Sequence, residues 1–207
     1  DVNTSETYEL PRLIKDYTIY VQDILPQPDF KVKTYIAEVN RIKVGDSREV
    51  VVKVENGEIV YKKAEEACQV KKGDLITCKI RVYNQGILNG TPEAIKLTIP
   101  EGLKLVENNR TNEINGWEVT ENGDITSVIL NDKIIKGYNG TNEINFEEIE
   151  VLLEVTAEKP QEQEEIYEIK AKIGQEEDIE KIVLSGQVKV DYTININKIF
   201  LHIRIAT

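Results

Sequence analysis

The sequence predicts an all-β sandwich, on three observations. Ile and Val together supply roughly a quarter of the 207 residues and Ala only a few per cent, and β-branched side chains favour strands over helices. Apolar and polar residues alternate with period two along most of the chain. Asn-Gly pairs at 56–57 and 122–123 each divide two alternating runs, the strongest short hairpin signal.

Each element follows from the same pattern. KDYTIYVQDIL (15–25) alternates and ends at Pro26. FKVKTYIAEV (30–39) puts Phe30, Val32, Thr34 and Ile36 on one face. REVVVKVENGEIVYKK (48–63) reads as a hairpin around Asn56-Gly57. CQVKKGDLITCKIRVYNQG (68–86) reads as a strand, a tight turn at Lys72-Gly73 and a long strand with Ile76, Cys78, Ile80 and Val82 on one face. AIKLTIPEGLKLVE (94–107) is a strand, a Pro-Glu-Gly turn and a second strand, and GWEVTENGDITSVIL (116–130) is another hairpin. The Asn/Gly-rich stretch 131–146 reads as a surface loop. INFEEIEVLLEVTAE (144–158) has charge spacing that suits a helix, but Ile149, Val151, Leu153 and Val155 alternate cleanly, so we read a strand. KPQEQEE (159–165) is a polar loop, and strands follow at 166–173, 179–184, 187–196 and 199–206. The expected core includes Ile76, Cys78, Ile80, Val82, Leu97, Ile99, Val151, Leu153 and Val155, with Lys79, Arg81 and Glu154 exposed.

Charge narrows the function. With 26 Lys+Arg against 37 Asp+Glu and a formal net charge of −11, the chain lacks the basic face that nucleic-acid binding or docking on anionic lipid requires. No run of 18 apolar residues is present, so membrane insertion by a helix is not expected. The chain does not begin with Met and shows no signal peptide; we read it as an excised or processed fragment, so compartment is not inferred from that end. DYTIYVQDIL (16–25) echoes DYTININKIF (191–200), by chance or as two copies of one inter-domain connector in a tandem array. The shorter echo TNEIN, at 111–115 and 141–145, reads as loop composition.

From Val70 to about Ile173 the order VKKGDLITCKIRVYNQG (70–86), IPEGLKLV (99–106), Trp117 with an Asn-Gly-Asp turn, and EIEVLLEV (148–155) resembles a repeat of Gram-positive surface proteins, the conserved-repeat and fimbrial isopeptide-forming domains, clostridial ones especially. FKVKTYIAEVN (30–40) is similar to the family's opening strand. The resemblance implies an immunoglobulin-like β-sandwich, here with an extra hairpin and terminal strands. It divides the chain into an N-terminal connector (1–27), the sandwich repeat (28–185) and C-terminal connector strands toward a following repeat (186–207). Some members join a core Lys on the first strand to an Asn on the last. In this chain Thr34 stands at the Lys position and Ile169 at the Asn position, so the resemblance implies the fold without the bond. Lys31 and Lys33 have the wrong parity to react.

The chemistry-bearing residues point the same way. Cys68 and Cys78 each share a face with apolar neighbours; they are either a diagonal disulfide across a tight turn at 71–73 or two buried thiols packing as small hydrophobes. The single His, His202, alternates with Ile203 and Ile205 on a terminal strand, too isolated for a metal site or a catalytic Cys–His pair. Trp117 is a sugar platform or, as we read it, core or rim packing. The runs EEIE (147–150) and EQEE (162–165) lack a calcium-loop pattern and read as solvated acidic surface. Asn3, Asn89, Asn109 and Asn139 head N-x-[ST] sequons that we expect to carry no glycan. No GxSxG, HExxH, P-loop or GxGxxG appears. No catalytic, cofactor or metal residues are expected. The expectation is a non-enzymatic, extracellular spacer repeat of a Gram-positive wall or pilus-like protein, whose partners are neighbouring repeats of the same polypeptide. The alternative is an adhesin-type module recognising a host protein or glycan through loops 85–93 and 131–146.

Overall fold

The computed structural model describes residues 27–140, 143–158, 165–184, 190–194 and 201–205. Their strands are β1 (Phe30–Val39), β2 (Ile42–Lys43), β3 (Val51–Glu55), β4 (Glu58–Lys62), β5 (Cys68–Val70), β6 (Leu75–Asn84), β7 (Ile95–Thr98) and β8 (Leu103–Leu105). A short helix α1 (Arg110–Ile114) leads to β9 (Trp117–Val119), β10 (Ile125–Ser127), β11 (Phe146–Val155), β12 (Ile166–Ile173) and β13 (Glu176–Leu184). Two further strands, β14 (Val190–Ile194) and β15 (Leu201–Ile205), pair antiparallel with each other. The copy of DYTI at 191–194 therefore lies in β14, while the copy at 16–19 falls outside the described residues.

Two sheets form an immunoglobulin-like β-sandwich, one in the order β2-β1-β6-β11-β8 and the other β5-β13-β12-β7-β10-β9. Period-two alternation decides which side chains meet between them. Ile76, Cys78, Ile80 and Val82 of β6, with Ile149, Val151, Leu153 and Val155 of β11, are buried against Ile95 and Leu97 of β7 and Ile169, Ala171 and Ile173 of β12. Each fully buried Ile, Leu or Val contributes about 1.5–3 kcal/mol relative to exposure, which makes this face the main source of stability. Ile99 departs from expectation: it is half-buried at the rim of a groove.

Local turn chemistry places the strands, in a way that alternation alone did not reveal. The turn after β5 holds Gly73 at φ +86° and closes with Lys71 N–H donating to Asp74 Oδ2 at 2.9 Å. It carries the chain across to the other sheet: β5 pairs parallel with β13, and β6 pairs with β1 and β11. The strands of Cys68 and Cys78 are therefore not side by side, which corrects the expectation drawn from that tight turn. Gly102, at φ +100°, makes the same kind of crossing between β7 and β8.

The outer face of the β1-β6-β11 sheet is also covered. The β3–β4 hairpin, turned by Asn56 and Gly57 at φ +53° and +84°, lays Val52, Ile59 and Tyr61 on a second cluster of Tyr35, Val50, Tyr83 and Ile144. Lys79, Arg81 and Glu154 are half-buried, not exposed as their parity suggested, Glu154 beside Lys104 of β8. Arg81 lies over the Tyr35 and Phe146 rings and donates to Glu148 and Glu49. Glu148 also accepts from Lys79 at 2.7 Å, and Lys79 lies 3.0 Å from Glu150, so two acids of the run at 147–150 are held in ion pairs here.

Helix α1 falls on the first copy of TNEIN, where loop was expected. Asn109 caps it by accepting the Thr111 N–H at 2.9 Å. Beyond the end of β8 the edge of β11 would be bare, and side chains close it. Asn112 accepts from Leu152 N–H at 2.8 Å and donates to Leu152 O at 2.9 Å. Asn115 accepts from Glu150 N–H, and Trp117 Nε1 donates to Glu150 O at 2.7 Å. Three side chains thus do what a continued strand would do.

Candidate functional site

Two regions hold polar and exposed apolar groups in a defined arrangement. The first is one pole of the sandwich, where loops 85–93 and 131–146 meet. Buried Asn84 organises it: Nδ2 donates to Leu88 O at 2.8 Å and Ile135 O at 3.0 Å, and Oδ1 accepts from Gly86 N–H and Asp29 N–H. Gly90 and Ile135 exchange backbone bonds, Tyr138 N–H donates to Gly86 O, and Gly137 N–H donates to Asn89 Oδ1. Glycines are required by close approach. A Cβ on Gly137 would strike the backbone of Ile87 and Leu88, and one on Gly86 would strike Gln27 to Asp29. A Cβ on Gly90 would meet Pro28 and the Phe30 ring. The incoming chain at 27–30 is therefore clasped by the first loop, and the first loop is backed by the second. On this firm base Ile87, Leu88 and Ile134 remain 65%, 46% and 67% exposed.

The second region is a seam where β1 runs parallel to β13. Along β1, the edge opposite β6 has no strand partner until β2 joins at Glu38 and Val39. The inward row of β13 changes character along its length, from Glu176, Asp178 and Glu180 to Ile182 and Leu184. The acids meet cations and the open β1 edge. Lys31 Nζ lies 2.6 Å from Glu176, Lys33 Nζ 3.2 Å from Asp178, and Thr34 N–H donates to Asp178 Oδ2 at 2.8 Å. Lys63 donates to Asp178 Oδ2 at 2.6 Å and to the carbonyls of Thr34 and Ile179 at 2.7 and 2.8 Å. Arg48 donates to buried Glu180 at 2.6 Å and to Glu66 O at 2.8 Å. A buried carboxylate is tolerated only with such partners. Sequence reasoning missed this seam. Its signal was present: three acids at every second position, on the parity of Ile182 and Leu184, require cations from elsewhere in the fold.

The residues singled out from the sequence take structural places. Thr34 and Ile169 are both wholly buried, as the resemblance implied for the positions it assigned them, and Thr34 Oγ1 shares a 3.2 Å hydrogen bond with Cys78 Sγ. Cys68 and Cys78 are free and buried on opposite sheets. Burial pushes the Cys78 thiol up to about 12, against the opposing effect of the Thr34 bond, and burial likewise raises Cys68. Trp117 is buried and its indole N–H is used on Glu150, so it offers no stacking face. His202 lies on β15 opposite Thr193. Among the sequons, Asn109 and Asn89 bond backbone N–H groups, and Asn3 lies outside the described residues. The run 162–165 is described only at Glu165, which accepts from Tyr167. Among the described residues, no group of three or more His, Cys, Asp or Glu is placed to hold a metal ion, and no helix is long and apolar enough to cross a membrane. A groove of about 600 Å³ lies between β8 and β9–β10 and is lined by Leu103, Leu105, Val119 and Ile125 with Glu107 and Glu154 at its rim.

No family model and no curated protein matches the chain. Among solved structures, a chain of a type I cohesin–dockerin complex from Clostridium thermocellum is similar at 13% identity and a TM-score of 0.29, over 66% of this chain and 98% of that one.

Proposed function

We propose that this chain is a non-enzymatic structural repeat of an extracellular, Gram-positive wall or pilus-like protein, spacing neighbouring repeats of the same polypeptide. One observation carries the reading: the sandwich is entered at one pole and left at the other. Phe30 begins β1 beside Asn84. Leu184 ends β13 beside Val70, next to the turn that opens β6 at the far end. Units strung in series through such a sandwich extend along its length. Tension would act on β1 and β13 in opposite directions along the seam, so the contacts between Lys31 and Glu176, Lys33 and Asp178, and Thr34 and Asp178 would resist together. The proposed boundaries follow the resemblance, with 1–27 and 186–207 as connectors around a repeat at 28–185.

The test is single-molecule stretching of the full chain by its ends. The expected result is one abrupt rupture of the sandwich, at a force lowered by Asp178→Ala. Unfolding at low force in small successive steps would overturn the reading. The full gene product offers an independent check, since further copies of this unit and a wall-sorting signal should flank it. The adhesin-type alternative rests on the exposed side chains of loops 85–93 and 131–146. It predicts retention of a host protein or glycan that Ile134→Asp abolishes.

A further inference from the structure

The pole formed by loops 85–93 and 131–146 is rigid yet carries three large exposed apolar side chains, Ile87, Leu88 and Ile134. Single exposed apolar residues are ordinary on a soluble surface. Three on two interlocked loops, held by buried Asn84 and by glycines with no room for a Cβ, form a preorganised surface. We propose that this surface is the seat of the chain's own preceding segment, residues 16–26, and that it thereby makes the joint before the sandwich stiff.

Three facts favour this occupant. Residues 27–29 are clasped in the same cap: Gln85 N–H donates to Asp29 O at 2.8 Å, Gln85 Nε2 donates to Asp29 Oδ2 at 2.7 Å, and Pro28 fills the space a side chain at Gly90 would need. The segment immediately upstream is therefore delivered to the patch by covalent attachment, at an effective concentration on the order of millimolar, which no free partner matches at low concentration. Its sequence is also complementary. Ile19, Tyr20, Val21, Ile24, Leu25 and Pro26 concentrate apolar side chains just before the clasp. The two sides of the contact are thus supplied by one chain at a fixed distance. A connector seated in this way transmits the direction of the preceding unit to the sandwich, where an unseated one would act as a swivel. The inference deepens the spacer reading and rests on it for that consequence.

The experiment is hydrogen–deuterium exchange on the full chain, read by mass spectrometry, in wild type and in two variants. In wild type the amides of residues 19–25 should exchange at least tenfold more slowly than in the free peptide 15–26. Leu88→Asp with Ile134→Asp should return them to the free-peptide rate while the amides of 76–82 keep their protection. Should that pair disturb folding, Ile24→Asp with Leu25→Asp changes only the connector and should produce the same loss. The proposal is overturned by free-peptide exchange at 19–25 in wild type, or by protection that survives the substitutions. Protection that rises with protein concentration would also overturn it, by assigning the patch to a second copy. None of these outcomes touches the spacer reading, which fails only if the stretched sandwich peels apart at low force.

Discussion

Glu148 shows how one buried-edge carboxylate ties stability to pH. Burial alone would raise its pKa, but the bonds from Lys79 and Arg81 outweigh that and hold it below the usual value of 4.5. A group whose pKa is depressed on folding contributes stability that is fully present above its unfolded value and is lost as pH falls through the folded one. We therefore expect stability to decline below about pH 4.5, and Glu148→Gln to be less stable at neutral pH with a shallower acid limb. Equal acid limbs in urea titrations at several pH values would show that Glu148 does not carry the effect. The two thiols make a separate case. With burial pushing the Cys78 thiol up to about 12 and Cys68 above its ordinary value, a thiol reagent at pH 8 meets two buried sulfurs whose reactive thiolate form is disfavoured. Neither should react in the folded chain, and both should react in denaturant. Rapid stoichiometric labelling of the native protein would contradict this. The inward direction of Cys78 was legible from Ile76 and Ile80 on its parity. The Thr34 partner was not, because it sits 44 residues away on another strand.

At the scale of elements, the strands were legible and their partners less so. Alternation located β6, β11 and β12 closely because each carries an inward row of three or four apolar residues: Ile76, Cys78, Ile80 and Val82; Ile149, Val151, Leu153 and Val155; Ile169, Ala171 and Ile173. It could not say that the turns at Gly73 and Gly102 change sheets, since crossing turns and hairpin turns draw on the same residues. Helix α1 was missed for a related reason. Five residues with no apolar stripe give no 3.6-residue period, and the element exists to present Asn112 and Asn115 to the edge of β11 rather than to bury a face. That role can be measured. Asn112→Ala leaves Leu152 N–H and the carbonyls of Leu152 and Val106 short of a partner inside the fold. Buried groups left unpaired in this way cost about 1–3 kcal/mol each, although Leu152 O keeps its bond from Val106 N–H at 3.2 Å. We expect a loss of about 2–4 kcal/mol in chemical denaturation and faster amide exchange at Glu150 and Leu152. A change within 0.5 kcal/mol would mean that water replaces the amide and the edge is open.

For the whole molecule, the question is whether the sandwich needs a covalent or metal staple. Small domains require one when they cannot bury enough apolar surface, whereas a domain of about 150 residues buries some 68–70% of what its unfolded chain exposes. The main core here runs from Val32 to Leu184 through both sheets, with a second cluster on the outer face. Its charges are neutralised in pairs along the seam. Lys63, the amine closest to a buried carboxylate, has Asp178 Oδ2, Glu180 Oε2 and two backbone carbonyls within 3.4 Å. Those acceptors suit a charged ammonium, whereas amide formation needs a neutral amine with a free electron pair. Thr34 and Ile169 fill their inward positions without any amine or amide. The expected intact mass is therefore that of the sequence, and the melting midpoint should be the same with EDTA, with a reductant and with neither. Loss of a native disulfide typically costs about 2–5 kcal/mol. In a domain of this size that lowers the midpoint by roughly 4–20 °C, well above the error of a melting curve. A fall of that size with the reductant would reveal a disulfide between Cys68 and Cys78, and one with EDTA would reveal a bound ion. A mass lower by about 17 or 18 Da, one ammonia or one water lost, would show that a Lys has joined an Asn or an Asp after all.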